Sequence, residues 1–421
     1  MQYPTEAGQS YLTTELADAL VGAGHRVEVL HLDWNAGTAF PTHEFFTASG
    51  VRVVRCAARS VPSASAMLRN ASKFVLSGRA AAQVARTRFD LESFDAAIAW
   101  MPATAISPLV GLMRRAGIRN RILFIWDFFP EHYHEIGRIP GGLALRIAHS
   151  WEQRLLKQFT AIICTLPANA RYLRQRFNLG PRQRVLVTPV WGDTMPVPPV
   201  NRAAVRRRYE LPADGPIAVF GGQLVEGRGF EQMLGAADRA LMIGSDLSYL
   251  FVGDGRLAPM IRDRATRQAN ILHRPAVTRA EYLELLGACD VGMVATVPGV
   301  TSFAIPSKTV DYLRAGLPII AAVEHGNDFI RILEDYGVGA AVPFGEPETF
   351  HVEAERLAGA GRITERARRC LSEIFDVRHA VATVLDASGQ GQRAGARQVP
   401  APSVRMRPHS RSAEPATRRA R

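Results

Sequence analysis

The segment IAVFGGQLVEGRGFEQMLGAA, residues 217–237, constrains this chain more than any other. It reads as a buried strand, a glycine-rich turn carrying Arg228, and then a helix. Such a turn presents backbone N–H groups and the positive end of a helix dipole to an anion. An arginine adds planar, permanently charged donors that suit phosphate oxygens. A second turn of the same kind follows in LFVGDGRLAPM, residues 250–260. Two glycine turns in one half of a chain point to a nucleotide diphosphate held against one α/β domain.

The rest of the chain repeats a strand–helix alternation. RVEVLHL (26–32), VRVVRCA (51–57), FDAAIAW (94–100), RILFIW (121–126), TAIICTL (160–166) and RVLVTPV (184–190) read as strands, with helical patterns such as SYLTTELADALVGAG (10–24) between several of them. A proline-rich stretch interrupts the pattern, and IAVFGG, LSYLFVGDG, ANILHRPAV, CDVGMVA and LPIIAAV then start it again. Alternation of this kind predicts parallel sheets covered by helices on both faces, so the fold class is α/β with two doubly wound, Rossmann-like domains facing a cleft. The expected division is 1–188 for the first domain, 189–200 for a linker, 201–387 for the second domain and 388–421 for a tail. Ligands are expected beyond the carboxyl ends of the strands. Residues 1–9, MQYPTEAGQ, read as the loop after a first strand that no residue precedes. The expectation is a truncated start, the alternative a sheet without its opening strand.

Composition adds limits. At 47% apolar and 21% charged residues the chain is globular, and its 421 residues suffice for two domains. Four scattered cysteines without a CxxC spacing argue against a metal cluster or disulfide framework and fit a reducing cytoplasm. No apolar run reaches the roughly 20 residues that span a bilayer, and a signal peptide is not expected. The protein is expected to be cytoplasmic, either free or at the inner face of the cell membrane. Of the net charge of +12, the tail 388–421 carries eight Arg against one Glu. That tail is expected to be disordered. It reads either as a solvated extension or as an arm for anionic lipid or nucleic acid, and a nucleic-acid partner rests on the tail alone. Residues 65–89 form a basic amphipathic stretch that suits either a lipid surface or a core-facing helix with a solvated side.

Taken in order, EAGQSYLTTELADALVGAGHRVEVL, FGGQLVEGRGFEQML, LFVGDGRL and SKTVDYLRAGLPIIAA resemble the GT-B glycosyltransferases, specifically the large retaining family four, also called the group 1 type. The likeness covers roughly residues 3–385. It implies a donor that is a nucleotide diphosphate sugar, a glycan or lipid-linked acceptor, and no metal or other cofactor. The absence of any D-x-D pattern agrees with metal independence.

The resemblance also implies roles. Gly8 falls in the N-terminal glycine loop. Gly222, Gln223, Arg228 and Gly229 fall in the phosphate turn, and Asp254 and Gly255 in the next turn. The family places a cation where this chain has Gln223, so Arg228 is left to neutralise the diphosphate, with Lys308 of Pro306-Ser307-Lys308 as the substitute from a facing loop. The second acidic position of the family's C-terminal motif is Asp311, implied to bind the ribose hydroxyls. The first falls on Phe303, which cannot accept a hydrogen bond. The donor sugar must then be held by something else, such as Thr301, Ser302 or backbone N–H groups nearby. In the first domain, LFIWDFFPEHYHEIGRIPGG (123–142) follows a strand end and offers Asp127, Glu131, His132 and His134 for donor or acceptor contact. Base contacts are expected near PAVTRAE (275–281).

The activity so implied is transfer of a sugar to an acceptor hydroxyl with retention, in cell-surface polysaccharide or glycolipid synthesis. Arg228, Lys308 and helix-start N–H groups would stabilise the leaving diphosphate. Rival readings are a GT-B nucleotide-sugar epimerase and a degenerate GT-B binding protein without turnover. A dinucleotide-dependent dehydrogenase is remote, because no GxGxxG with a downstream ribose acid follows a strand.

Overall fold

Parallel strands buried on both faces read as continuous apolar runs, and every such run in the sequence is a strand in the computed structural model. The structure describes residues 11–34, 40–61, 66–135, 137, 139–296 and 305–389. Gly8, Thr301, Ser302, Phe303 and residues 390–421 of the tail lie outside them.

The first half comprises α1 (Tyr11–Gly22), β1 (Glu28–Asp33), β2 (His43–Phe46), β3 (Arg52–Ala57), α2 (Ala66–Arg88), β4 (Ala96–Trp100), α3 (Ser107–Arg115), β5 (Asn120–Ile125), α4 (Glu131–Glu135), α5 (Leu143–Leu156), β6 (Ala161–Cys164), α6 (Pro167–Arg176) and β7 (Arg184–Val187). The second comprises α7 (Arg202–Arg208), β8 (Ile217–Gly221), α8 (Phe230–Ile243), β9 (Ser248–Val252), α9 (Ala258–Arg267), β10 (Ile271–Arg274), α10 (Arg279–Leu286), β11 (Val291–Ala295), α11 (Lys308–Arg314), β12 (Ile319–Ala322), α12 (Asp328–Asp335), β13 (Gly339–Val342), α13 (Pro347–Gly359), α14 (Thr364–Cys370) and α15 (Val377–Ala387).

The second half builds one six-stranded sheet, ordered β10-β9-β8-β11-β12-β13. All its pairings are parallel. Its order reverses between β8 and β11, which is where an open α/β sheet forms a ligand crevice. The first half is split. Strands β1-β3-β2 form one sheet and β4-β5-β6-β7 another. Among the described residues, no strand pairs with the outer edge of β1 or of β4. Helices span the break instead. Leu12, Leu16 and Leu20 of α1 pack with Ile122, Phe124 and Ile163, while Ala17 packs with Val51 and Val53. On the other face, Ala82 and Ala85 of α2 meet Leu112 of α3 and Leu30 of β1. The apolar strand β4 is correspondingly only part-buried at four of its five residues. Helix α2 is therefore a packed element with a solvated basic side, the core-facing alternative for residues 65–89.

The two halves are bound together by a crossover that the sequence reading does not anticipate. Residues 377–387, grouped there with the second domain, form α15, which returns to the first. Its Ala380, Val381 and Val384 pack with Leu16, Phe124 and Trp191. Trp191 is fully buried, and its indole N–H donates to Leu12 O at 2.7 Å. The adjacent Gly192 N–H donates to Phe375 O at 2.9 Å.

The break in the first sheet predicts a measurable asymmetry. Hydrogen exchange should find the outward-facing amides of β1 and β4 exchanging much faster than those of β8, β9 and β12. Equal protection across both sheets would mean that the edges are covered.

Candidate functional site

Strand β8 is buried throughout and ends at Gly221, where the chain turns out of the sheet. Gly222 N–H donates to Val252 O at 2.9 Å, Leu224 N–H to Asp254 O at 2.9 Å, and Leu257 N–H to Leu224 O at 2.8 Å. The two glycine turns thus lie backbone against backbone. This approach requires glycine at 253, where φ is +144° and a Cβ would lie 1.9 Å from Gly222 O. Gly229 closes the turn as the left-handed cap of α8, at φ +63°, and a Cβ there would lie 2.3 Å from Ala295 Cβ. No side chain caps α8, so its first N–H groups are left for a ligand. Gln223 and Arg228 are exposed beside them.

Lys308 completes this cradle, although not from across the cleft. It is the first residue of α11 in the same domain, with Nζ 4.6 Å from the Phe220 ring centroid. A Cβ on Gly222 would lie 3.9 Å from Lys308 Cε. Burial, then the Arg228 charge, push its ammonium down to about 7, against a smaller opposing pull from Asp311. Two cations are therefore near enough at this turn for the Arg228 charge to act on Lys308. The helix that Lys308 opens is only seven residues long, so its start adds little dipole of its own.

Asp311 lies one turn further on, buried and fully engaged. Arg279 donates to both of its oxygens, at 3.0 and 2.8 Å. Arg279 also comes within 3.9 Å of Glu15 of α1, across the domain boundary. Burial holds the Glu15 carboxyl up at about 8, only partly offset by Arg279. Any ribose hydroxyl reaching Asp311 must share it with Arg279. Asp254 has a local task, accepting the Ala276 N–H at 3.1 Å and fixing the 275–277 segment against the second glycine turn. Ser307 is the residue before α11, without a side-chain cap of that helix.

The first-domain residues sit at the ends of β4 and β5. Asp127 is exposed and makes no hydrogen bond or ion pair among the described residues. His132 lies on α4, its ring edge-on to Tyr133. The His134 Nδ1–H donates to Ile139 O at 2.9 Å, so this histidine shapes its own loop. Glu131 is buried and paired with His149. Glu152 is fully buried and accepts the Ala103 and Thr104 N–H groups at 2.7 and 2.9 Å; burial still raises its carboxyl to about 7. Among the described residues no three His, Cys, Asp or Glu are grouped to hold a metal.

Sequence reasoning missed Arg279, Glu15, Thr296 and Glu324. Thr296 and Glu324 had a signal: each stands just past a predicted strand, at the carboxyl end where ligands bind. Arg279 and Glu15 had none, because their pairing joins distant segments.

A family of glycosyl transferase 4-like domains matches residues 7–191. WbjE, a probable glycosyltransferase of Pseudomonas aeruginosa, is 27% identical over 238 residues, 54% of this chain and 56% of that protein. The match thus spans little more than half of that relative. WcaI of Escherichia coli K12, assigned as a glycosyl transferase of colanic acid biosynthesis, is 22% identical over 366 residues, 82% of this chain and 86% of its own length. Among solved structures, sucrose-phosphate synthase from Thermosynechococcus elongatus shares the fold with a TM-score of 0.65 at 17% identity, covering 90% of this chain and 92% of its own. The chain has the GT-B fold, and its residues 7–191 match the glycosyl transferase 4-like domains.

The lowered Lys308 predicts proton-linked binding of a diphosphate at this turn. A diphosphate favours the charged ammonium, so its pKa must rise on binding. Below pH 7 Lys308 is already charged and no proton is taken up. Above pH 7, calorimetry in buffers of different ionisation enthalpy should show uptake approaching one proton per bound nucleotide sugar. Affinity should fall as pH rises, by at most about tenfold per unit. Lys308→Met should bind weakly and without this slope. Glu15→Gln and Glu152→Gln, which remove the carboxyls raised to about 8 and about 7, should keep it.

Proposed function

We propose that this enzyme transfers a hexosyl or N-acetylhexosaminyl group from a nucleotide diphosphate sugar to an acceptor hydroxyl with retention of anomeric configuration. The carrying observation is the cradle of two glycine turns, the uncapped start of α8, and the cations Arg228 and Lys308 on one turn. In glycosyl transfer the sugar–phosphate bond breaks as positive charge builds on the anomeric carbon. The negative charge that collects on the leaving diphosphate is what the site is built to hold. Donors preorganised around a developing charge commonly supply the largest share of catalysis. The leaving phosphate oxygen can then take the acceptor's proton on the same face of the sugar, which gives retention without a protein nucleophile. Asp127 and His132, at the strand ends of the opposite domain, are proposed to contact acceptor or donor sugar. Gly222, Gln223, Gly229 and Gly255 line the phosphates, Ser307 flanks them, and Asp311 with Arg279 receives the ribose. Closure of the domains would exclude water and limit donor hydrolysis.

The acceptor is proposed to be a glycan or a lipid-linked glycan in cell-surface polysaccharide or glycolipid synthesis, met at the cytoplasmic face of the membrane. The assignment of WcaI to colanic acid biosynthesis supports the pathway class. Helix α5 supports the membrane face. Its Leu143, Ile147 and Trp151 are 73, 58 and 41% exposed and fall at i, i+4 and i+8. Arg146 and Arg154, exposed on the same helix, have no ion-pair partner among the described residues. An apolar stripe between free arginines suits an anionic bilayer. No described helix is long and apolar enough to cross one.

Two measurements test this reading. In a thermal-shift panel of UDP-, GDP- and dTDP-sugars, one donor class at 100 times its dissociation constant should add about 2.7 kcal/mol of stability. Arg228→Ala should lower kcat by roughly 10²–10³ with that donor, the usual cost of deleting one preorganised donor at a developing charge. A flat panel, or full turnover by the variant, rules the reading out. For the membrane face, Ile147→Glu should abolish flotation with phosphatidylglycerol vesicles while donor affinity is unchanged.

A further inference from the structure

Two buried polar atoms beside the glycine turns lack a partner in strict hydrogen-bonding geometry among the described residues. Thr296 follows β11, and its N–H donates to Ala322 O at 3.0 Å. Glu324 stands two residues beyond β12, the strand paired with β11. The two side chains therefore emerge at the carboxyl ends of adjacent parallel strands. They also border the phosphate turn, because a Cβ on Gly229 would lie 3.3 Å from Thr296 O. Glu324 is only 8% exposed. Its Oε2 accepts the Asn327 Nδ2–H at 3.2 Å. Its Oε1 and the Thr296 Oγ1 are both buried without a hydrogen-bond partner.

A purely structural role accounts for half of this carboxylate. Asn327 caps α12 with its own Oδ1, and Glu324 Oε2 steadies the Asn327 amide. Nothing in that arrangement uses Oε1. Burial pushes the Glu324 carboxyl up, and the charge of Glu135 on α4, in the opposite domain, adds a smaller push. Its own N–H, then the Thr296 hydroxyl and the Asn327 amide, oppose that shift, yet among the described residues Glu324 Oε1 and Thr296 Oγ1 have no partner in strict hydrogen-bonding geometry. A buried, unsatisfied acceptor is costly and is rarely kept without a use. Its surroundings say what would satisfy it. The site lies at the carboxyl ends of β11 and β12 beside the glycine turns, close enough to the first domain for the Glu135 charge to act on it, where a group attached to a diphosphate held by those turns would extend. Sugar hydroxyls donate to a carboxylate oxygen and exchange hydrogen bonds with a threonine hydroxyl. The resemblance also leaves this task open, since its first acidic position is occupied here by Phe303.

We propose that Glu324, with Thr296 beside it, accepts hydroxyl hydrogen bonds from the sugar ring of the nucleotide-sugar donor and so discriminates among donor sugars. The proposal rests on the transferase reading above. It puts the sugar-binding acid on the end of β12 instead of in the loop before α11.

Calorimetry on the full chain with UDP, GDP, UDP-glucose and GDP-mannose separates the possibilities. In Glu324→Gln and Glu324→Ala, affinity for the bare nucleoside diphosphate should stay within about twofold, while affinity for the matching sugar nucleotide falls about tenfold or more. Thr296→Val should show the same split at smaller size. Equal losses for both ligands would mark Glu324 as a structural residue, and no loss for either would leave it without a role; each result overturns the assignment. Failure of the unsubstituted protein to bind any of the four probes overturns the donor reading itself, and this assignment with it. Glu324→Gln preserves the Asn327 side of the contact, so a folding defect confined to Glu324→Ala leaves the test intact.

Discussion

The contact on which the site depends is backbone on backbone. The turn after β8 and the turn after β9 are joined by main-chain hydrogen bonds, Gly222 to Val252 and Leu224 to Asp254 and Leu257, with an exposed Glu226–Arg256 ion pair beside them. That contact fixes the path of residues 222–229, and with it the direction of the uncapped start of α8 and the place of Arg228. Side chains could not make so close an approach. The glycines of LFVGDG are thus as much part of the phosphate cradle as those of FGGQ, although they need touch no ligand. Both turns leave a sheet whose central strands are wholly buried, so the cradle is held by the most rigid part of the molecule.

Placing Lys308 beside Arg228 has an electrostatic consequence. Like charges near one another in a dry site disfavour each other, and here the flexible ammonium yields while the guanidinium stays charged. With its pKa held down to about 7, Lys308 would gain charge on meeting a diphosphate. The family's usual cation at the position of Gln223 would carry its charge permanently. Exchanging an exposed fixed cation for a part-buried one with a lowered pKa is what leads us to expect proton-coupled anion binding at this turn.

The fold was legible because its strands are apolar runs bounded by glycine and proline, and such runs need no tertiary context to recognise. What escaped notice was short, small-residued or distant in sequence. Strand β2, HEFF, is exposed and pairs antiparallel with β3, and β13, GAAV, has little β-branched character. The return of α15 to the first domain depends on which apolar face meets which, and periodicity is silent on that. The cradle was legible for the same reason as the strands: glycine turns are local. The Arg279–Asp311 pair was not, since it joins the starts of two helices that the pattern does not pair; Thr296 and Glu324 stood at legible strand ends, but only the parallel pairing of β11 and β12 puts them side by side.

Segment 324–328 connects domain closure to the donor. Asp328, first residue of α12, accepts the Ala168 N–H of the other domain at 2.9 Å through Oδ2. Asn327 between them caps the helix and holds Glu324. A single helical turn thus joins a buried interdomain hydrogen bond to the unsatisfied carboxylate at the cleft. Opening the domains would release Asp328 and, through Asn327, loosen Glu324. Closing them would fix that carboxylate and bring α4, with the charge of Glu135, toward it. Among the described residues the strands of the first domain form two sheets held by helices across the gap, which leaves it the more yielding half. The second has six continuous strands and is the stiffer. The two glycine turns leave the stiff half, and under the proposed function the acceptor would approach over the yielding one.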